Sequence, residues 1–372
     1  MNGERQTWAT LRSVFGVVMA AVAVGGCTPD ETAAPRPVTI NDYGQTLSEE
    51  MQRRLWVAAK IRALDPCGFM NMEQVSGLGE VAQFGLDPYH GPESCRAAVV
   101  PPGRQAKSFG VAEIVIDLDR EAPDADEHPL DSDDGIVYAD TLYNGGNLGC
   151  GRLIRLDIPE ARDTSGRSVD GAFMSVVADG FGRGPDGDNP QLNCEIAEQL
   201  TTGVVGLIRS KQPPQRSVSE TAAPLGDRTS CDLVEHLPPD FRVTDWVPTT
   251  SPYLCDFGVA GPGVDANDGR VRAQIDTRPD KDAIDPGPLE TDAEPARREV
   301  DGHPILLLRN EDDECRARMP VGDVMDGNRP GFELDDHDVS VARVRAVVEL
   351  DGSCTALESL LPAMVEAFAR GV

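Results

Sequence analysis

Eight of the nine cysteines fall into two sets of four: Cys67, Cys95, Cys150 and Cys194, then Cys231, Cys255, Cys315 and Cys354. Corresponding members lie 164, 160, 165 and 160 positions apart. A nearly constant offset carried by four cysteines is the mark of a tandem duplication, with small insertions absorbed in loops. The flanks recur as well. Asp65-Pro-Cys-Gly-Phe-Met aligns loosely with Ser230-Cys-Asp-Leu-Val, and Cys95-Arg-Ala-Ala-Val with Cys255-Asp-Phe-Gly-Val. Cys150-Gly-Arg-Leu-Ile aligns with Cys315-Arg-Ala-Arg-Met, and Asn193-Cys-Glu-Ile-Ala-Glu with Ser353-Cys-Thr-Ala-Leu-Glu. An even cysteine set in an exported chain reads as a disulfide framework. If each half folds by itself, pairing stays within the half and three connectivities per half remain. The favoured set is Cys67–Cys95, Cys150–Cys194, Cys231–Cys255 and Cys315–Cys354, each bridge worth about 3–4 kcal/mol in the chain-entropy picture. Thiolate metal binding lacks the Cys-x-x-Cys or His-rich spacing it would need.

Between the cysteines the pattern predicts α+β halves. Ser48-Glu-Glu-Met-Gln-Arg-Arg-Leu-Trp opens as a capped helix with two acids in its first turn, and Asp65-Pro66 ends it. Short helices are expected after Cys67 and after Cys231. Strand-like runs follow at Cys95–Val100, Phe109–Leu118, Ile136–Tyr143, Cys150–Asp157 and Ala172–Ala178. Their counterparts are Cys255–Ala260, Arg270–Asp276, Ile305–Arg309, Cys315–Met319 and Val339–Leu350. Each half closes with an amphipathic helix, carried by Ile196, Leu200, Val204 and Leu207 in the first and by Leu357, Leu360, Leu361, Met364 and Phe368 in the second. The expected architecture is two tandem homologous domains, each an antiparallel sheet backed by helices and held by two disulfides.

The first residues read as an export signal. Arg5 and Arg12 precede the apolar run Val14–Val24, which at eleven residues falls well short of the ~20 a membrane-spanning helix needs. Val24-Gly25-Gly26-Cys27 follows and resembles the lipobox of bacterial lipoproteins, with Val in place of the commoner Leu at its start. That resemblance implies cleavage before Cys27 and a diacylglyceryl group on its thiol, and two acyl chains give stable anchoring. The expected organisation is a signal peptide over 1–26, a lipidated cysteine and Pro-containing tether over 27–46, a first domain over 47–210, a linker over 211–229 and a second domain over 230–372.

The chain is 372 residues long, 40% apolar and 26% charged, which suits a folded protein rather than a disordered one. Its net charge of −29 repels phosphate backbones and anionic headgroups, which excludes a nucleic-acid partner and makes a spacer between lipid anchor and acidic body reasonable. No motif for a nucleophile or cofactor stands out. There is no Gly-x-Ser-x-Gly, no Ser-x-x-Lys, no His-Glu-x-x-His and no Gly-Lys pair. Gly77-Leu-Gly-Glu-Val-Ala82 matches a dinucleotide fingerprint by letter but lacks the strand before it and the long helix after it. His90, His128, His236, His303 and His337 sit in turn-like surroundings and read as solvated side chains. Acidic clusters at Asp117–Asp134, Asp186–Asn189, Asp265–Asp268 and Glu333–Asp338 miss the register of a calcium loop. The expectation is therefore no catalytic residue, no metal and no cofactor.

Taken together, the Cys27 lipobox, the Asp65-Pro66-Cys67 opening and the repeated four-cysteine pattern resemble the tethered lipoproteins of unknown function common in actinobacteria. More loosely, the two-disulfide α+β pattern is similar to the extracellular sensor domains of actinobacterial Ser/Thr kinases. These resemblances imply a lipid-anchored location on the extracytoplasmic face of the cell membrane. They also imply a non-enzymatic binding or sensing role toward an envelope protein or wall component. Two other classes stand beside that expectation: a solute-binding lipoprotein of a transport system, and a secreted hydrolase.

Overall fold

In the computed structural model, the described residues are 49–87, 91–103, 110–117, 138–142, 149–156, 173–182, 189–210, 213–216, 224–247, 251–266, 269–285, 294–310, 314–326 and 343–369. Cys27 and the residues expected to form the signal peptide and tether lie outside them. So do His90, His128, His337 and most of the acidic clusters.

The first lobe opens with helix α1 (Glu49–Arg62), a 3-10 turn at Cys67–Phe69 and α2 (Met72–Leu78). Asn71 caps α2, its side chain accepting from the Glu73 and Gln74 amides. Strands β1 (Glu80–Gly85), β2 (Ser94–Val100), β3 (Gly110–Asp117), β4 (Tyr138–Leu142), β5 (Cys150–Arg155) and β6 (Phe173–Asp179) follow, and α3 (Pro190–Arg209) closes the lobe. Among the described residues they form a six-stranded antiparallel sheet in the order β1-β2-β3-β6-β5-β4. One face of the sheet supplies Cys95, Ala97, Val99, Ala112, Ile114, Ile116, Met174 and Val176 to a core with Val57, Ala58 and Ile61 of α1, Val75 of α2 and Ala197, Leu200 and Val204 of α3. This alternation of buried residues is what the period-2 strand pattern dictates.

The second lobe repeats the plan. Helix α4 (Asp232–Glu235) precedes β7 (Arg242–Val247), β8 (Leu254–Ala260), β9 (Arg270–Pro279), a short α5 (Asp280–Ile284), β10 (Glu294–Val300), β11 (His303–Arg309), β12 (Glu314–Asp326), β13 (Arg343–Ser353) and α6 (Cys354–Phe368). The sheet order is β7-β8-β9-β13-β12-β11-β10. Overlaid on the first, β7, β8, β9, β13, β12 and β11 stand where β1, β2, β3, β6, β5 and β4 stood, and β10 is an added edge strand. Even the irregularities agree: the register slips between Val81 and Gln83 in β1 and between Val243 and Asp245 in β7. The second core is separate from the first and gathers Val271, Ala273, Ile275, Ala317, Met319, Val348 and Leu350 under Leu357, Leu360, Leu361, Met364 and Phe368 of α6.

The disulfides are Cys67–Cys95, Cys150–Cys194, Cys231–Cys255 and Cys315–Cys354. Each half is thus an antiparallel sheet backed by helices and cross-braced twice, as the cysteine spacing predicts. Three strands went unforeseen. Gln83 and Asp245 sit beside bulges that break the alternation of β1 and β7, and β10 is a charged edge strand (Arg297, Arg298, Glu299) with no apolar stripe to announce it. Several bounds also move: β9 runs on to Pro279 and β12 to Asp326, beyond the expected Asp276 and Met319.

Candidate functional site

Of the histidines within the described residues, His236 terminates α4 and His303 starts β11, both half-buried. Gly77–Ala82 spans the end of α2 and the start of β1, with neither the strand nor the long helix that a dinucleotide site needs. Among the described residues no group of three or more His, Cys, Asp or Glu side chains is disposed to hold a metal ion. No described helix is long and apolar enough to cross a membrane. A shallow crevice lies between the 3-10 turn, β3 and α3, lined by Phe69, Met70, Asn71, Glu113, Ile114, Leu200 and Val204. It has no room for a water-sized guest, unlike the ~300–1,000 Å3 of a typical small-molecule site.

The richest polar constellation is on the outer face of the second sheet, away from α6. Cross-strand pairing sets Arg316 beside Asp351, Asp351 beside Arg272, and Arg272 beside Asp256, a row of alternating charge over β12, β13, β9 and β8. The same row in the first lobe reads Gly151, Val177, Glu113 and Arg96. In both lobes the outer members directly follow a cysteine, so the cysteine offset carries the strand register with it. Arg316 donates to Asp351 at 2.7 Å, and Arg270 and Arg272 share Asp256 at 3.0 and 3.6 Å. The Arg270 and Arg272 side chains are more than half exposed and already oriented by that carboxylate. Partial burial lifts Asp351 above the ordinary carboxylate range, an effect that its bond to Arg316 opposes.

One rung further along, α5 covers the sheet and the charges go inside. Arg318 is 1% exposed, donates to Glu349 Oε1 at 2.5 Å and to the Asp282 carbonyl at 2.7 Å. Glu349 also accepts from Arg278 at 3.1 Å, and Arg278 reaches Asp276 at 3.2 Å. A strand with polar residues on alternate positions is legible in Arg270-Val-Arg-Ala-Gln-Ile-Asp-Thr-Arg278. That its polar face lies under a helix is not, because α5 is five residues long and carries no apolar stripe.

The second constellation is the seam between the lobes, to which no sequence pattern points. Arg62, on the α1 helical repeat, is 4% exposed and donates from Nη1 to the Pro252 carbonyl at 2.8 Å. Part of the expected linker is built into the first lobe: the Arg216 amide donates to the Ala63 carbonyl and the Asp65 amide to the Pro214 carbonyl. The Arg216 side chain, also 4% exposed, donates to the carbonyls of Arg62 (3.1 Å) and Pro92 (2.9 Å) and to the Tyr253 hydroxyl (3.1 Å). Tyr253 in turn donates to the Gly226 carbonyl at 2.6 Å, and burial pushes its hydroxyl up to about 12. Thr277 of β9 donates to the Asp87 carbonyl at 2.6 Å, and Leu86 packs with Val344 and Met325. Replacing Arg216 by alanine removes three buried donor contacts, of which the one to Tyr253 crosses the seam. The expected loss is about 3 kcal/mol in urea unfolding, with Arg216→Lys nearly as costly because an ammonium cannot reproduce the planar fork.

No family model and no curated protein matches the chain. Among solved structures, the di-domain ARO/CYC BexL from the BE-7585A biosynthetic pathway aligns with 84% of this chain and 86% of its own, at 11% identity and a TM-score of 0.15. A likeness of that size bears on neither fold nor function.

Proposed function

We propose that this chain is an extracytoplasmic lipoprotein, held to the cell membrane through a diacylglyceryl group on Cys27. Its duplicated lobes then serve a non-catalytic binding or sensing role toward an envelope protein or wall component. The observation that carries the reading is that all eight cysteines after Cys27 are paired within their own lobe, seven of them buried and Cys194 half-buried, tying sheet to helix. Bridges of this kind form and persist where the surroundings are oxidising, and seldom in a reducing cytosol. A second observation supports the binding half of the reading. The exposed Arg270 and Arg272, pre-oriented by Asp256, offer fixed donors to a polar or acidic partner on a molecule that is otherwise strongly anionic.

Metabolic labelling with an alkyne fatty acid tests the anchor: the wild-type chain takes up label in the membrane fraction, and Cys27→Ala is unlabelled and released. Crosslinking of the ectodomain on cells tests the role, with one envelope component captured by wild type and lost on joint Arg270→Glu and Arg272→Glu substitution. A reduced, unlabelled chain in the cytosol overturns the reading.

A further inference from the structure

The lobe seam carries a buried carboxylate against which a turn of the first lobe packs. Asp276 of β9 is 5% exposed, and the 3-10 turn Gly91–Glu93 of the first lobe sits on it. Gly91 is held at φ +78°, where a side chain is strained, and any Cβ there would meet the Glu93 carboxylate at 2.8 Å and Asp276 Oδ1 at 3.3 Å. Glycine is therefore required for two carboxylates, one from each lobe, to approach the same point. The groups facing Asp276 come from every side. Its own strand brings Arg278 at 3.2 Å and the Thr277 amide at 2.8 Å. Strand β13 brings Glu349 and β12 brings Arg318, which bond each other. Helix α5 adds Asp282, whose carbonyl holds Arg318, and Asp280, which is engaged by Arg343 and Arg345. The first lobe adds Glu93 and Asp87, the latter 3.9 Å from Arg96.

We infer that this contact is an acid-strengthened clamp: uptake of one proton at Asp276 tightens the seating of the Gly91–Glu93 turn on β9 and so couples the lobes more firmly. The inference holds whatever partner the protein binds. Burial, with Glu349 adding to it and Arg278 opposing it, raises the Asp276 carboxyl to about 6. The folded value lies above the unfolded one, so the folded protein holds more protons than the unfolded chain between about pH 4 and 6. The stability this group contributes is full below that window and is lost as pH rises through it.

Thermal unfolding of wild type and Asp276→Asn at about pH 5 and 7.5 provides the test. Other carboxylates on so acidic a chain also respond to pH, so the readout is the difference between the two proteins. From the lower to the higher pH, the melting temperature of Asp276→Asn relative to wild type is expected to rise by about 3 °C. Hydrogen exchange locates the effect. In wild type, amides of residues 91–100 gain about tenfold protection, corrected for intrinsic rate, on going to the lower pH, while those of β11 do not. In Asp276→Asn those amides are protected equally at both. A substituted protein whose gap from wild type does not change with pH overturns the clamp. Should Asp276→Asn fail to fold, wild-type exchange decides alone: equal protection of residues 91–100 at both pH values also overturns it.

Discussion

Replacing Glu349 by alanine is expected to destabilise the second lobe by about 3–5 kcal/mol, the cost of leaving a buried charge without its partner. The reason lies in what remains behind. Arg318 is buried to 1% exposure and loses its carboxylate partner once Glu349 is gone, and the Asp282 carbonyl it still donates to carries no countercharge. Arg278 loses one of its two carboxylates. A guanidinium stays charged at any accessible pH, so it cannot escape the cost by releasing a proton. Glu349→Gln, which keeps a hydrogen-bonding oxygen but not the charge, falls between alanine and wild type. Removing both partners at once, as Arg318→Met with Glu349→Leu, is expected to recover most of the loss, since two well-packed apolar groups need no compensation. Urea midpoints of the four proteins check the series. A double substitution as damaged as Glu349→Ala would show that the pair stabilises the lobe by itself rather than merely avoiding an unpaired charge.

How much of this was readable beforehand divides along physical lines. Covalent and periodic signals were legible. The cysteine offset foretold two copies of one module, and Val344, Ala346 and Val348 foretold the inner face of β13, because both are properties of chain position and pleat. The interfaces were not. Arg62 sits on a helical repeat beside Ala58 and Ala59, and a sequence cannot say whether a long charged side chain there snorkels to solvent or is buried against another lobe. Arg216 lies two residues after Pro213-Pro214, in a stretch whose composition is that of a tether. It is the pairing of residues 63–65 with 214–216 that places its guanidinium in the seam. Asp276 looked like one more acid among 63, and its environment depends on Gly91, 185 positions away. The bulged strands β1 and β7 were missed for a related reason: an inserted residue destroys the alternation that announces a strand, although finding the bulge in both copies strengthens the case for duplication.

That the lobes keep separate cores yet share a polar seam makes the bridge between β5 and α3 informative. Joint replacement of Cys150 and Cys194 by serine is expected to cost the first lobe about 4 kcal/mol, from the 44 positions between them. The second lobe retains both of its own bridges and the whole α6 core, so calorimetry should resolve two transitions, the earlier lowered by about 10 °C. The seam limits how far they part, because Tyr253 and Thr277 lose their partners when the first lobe melts. The later transition should therefore also fall slightly, and combining the serine pair with Arg216→Ala should lessen that residual drop, with Thr277–Asp87 and Arg62–Pro252 still joining the lobes. Two transitions would mean that the duplicated modules are separate folding units joined by a few buried donors. A single transition shifted as a whole would mean that the seam is strong enough to fuse them into one.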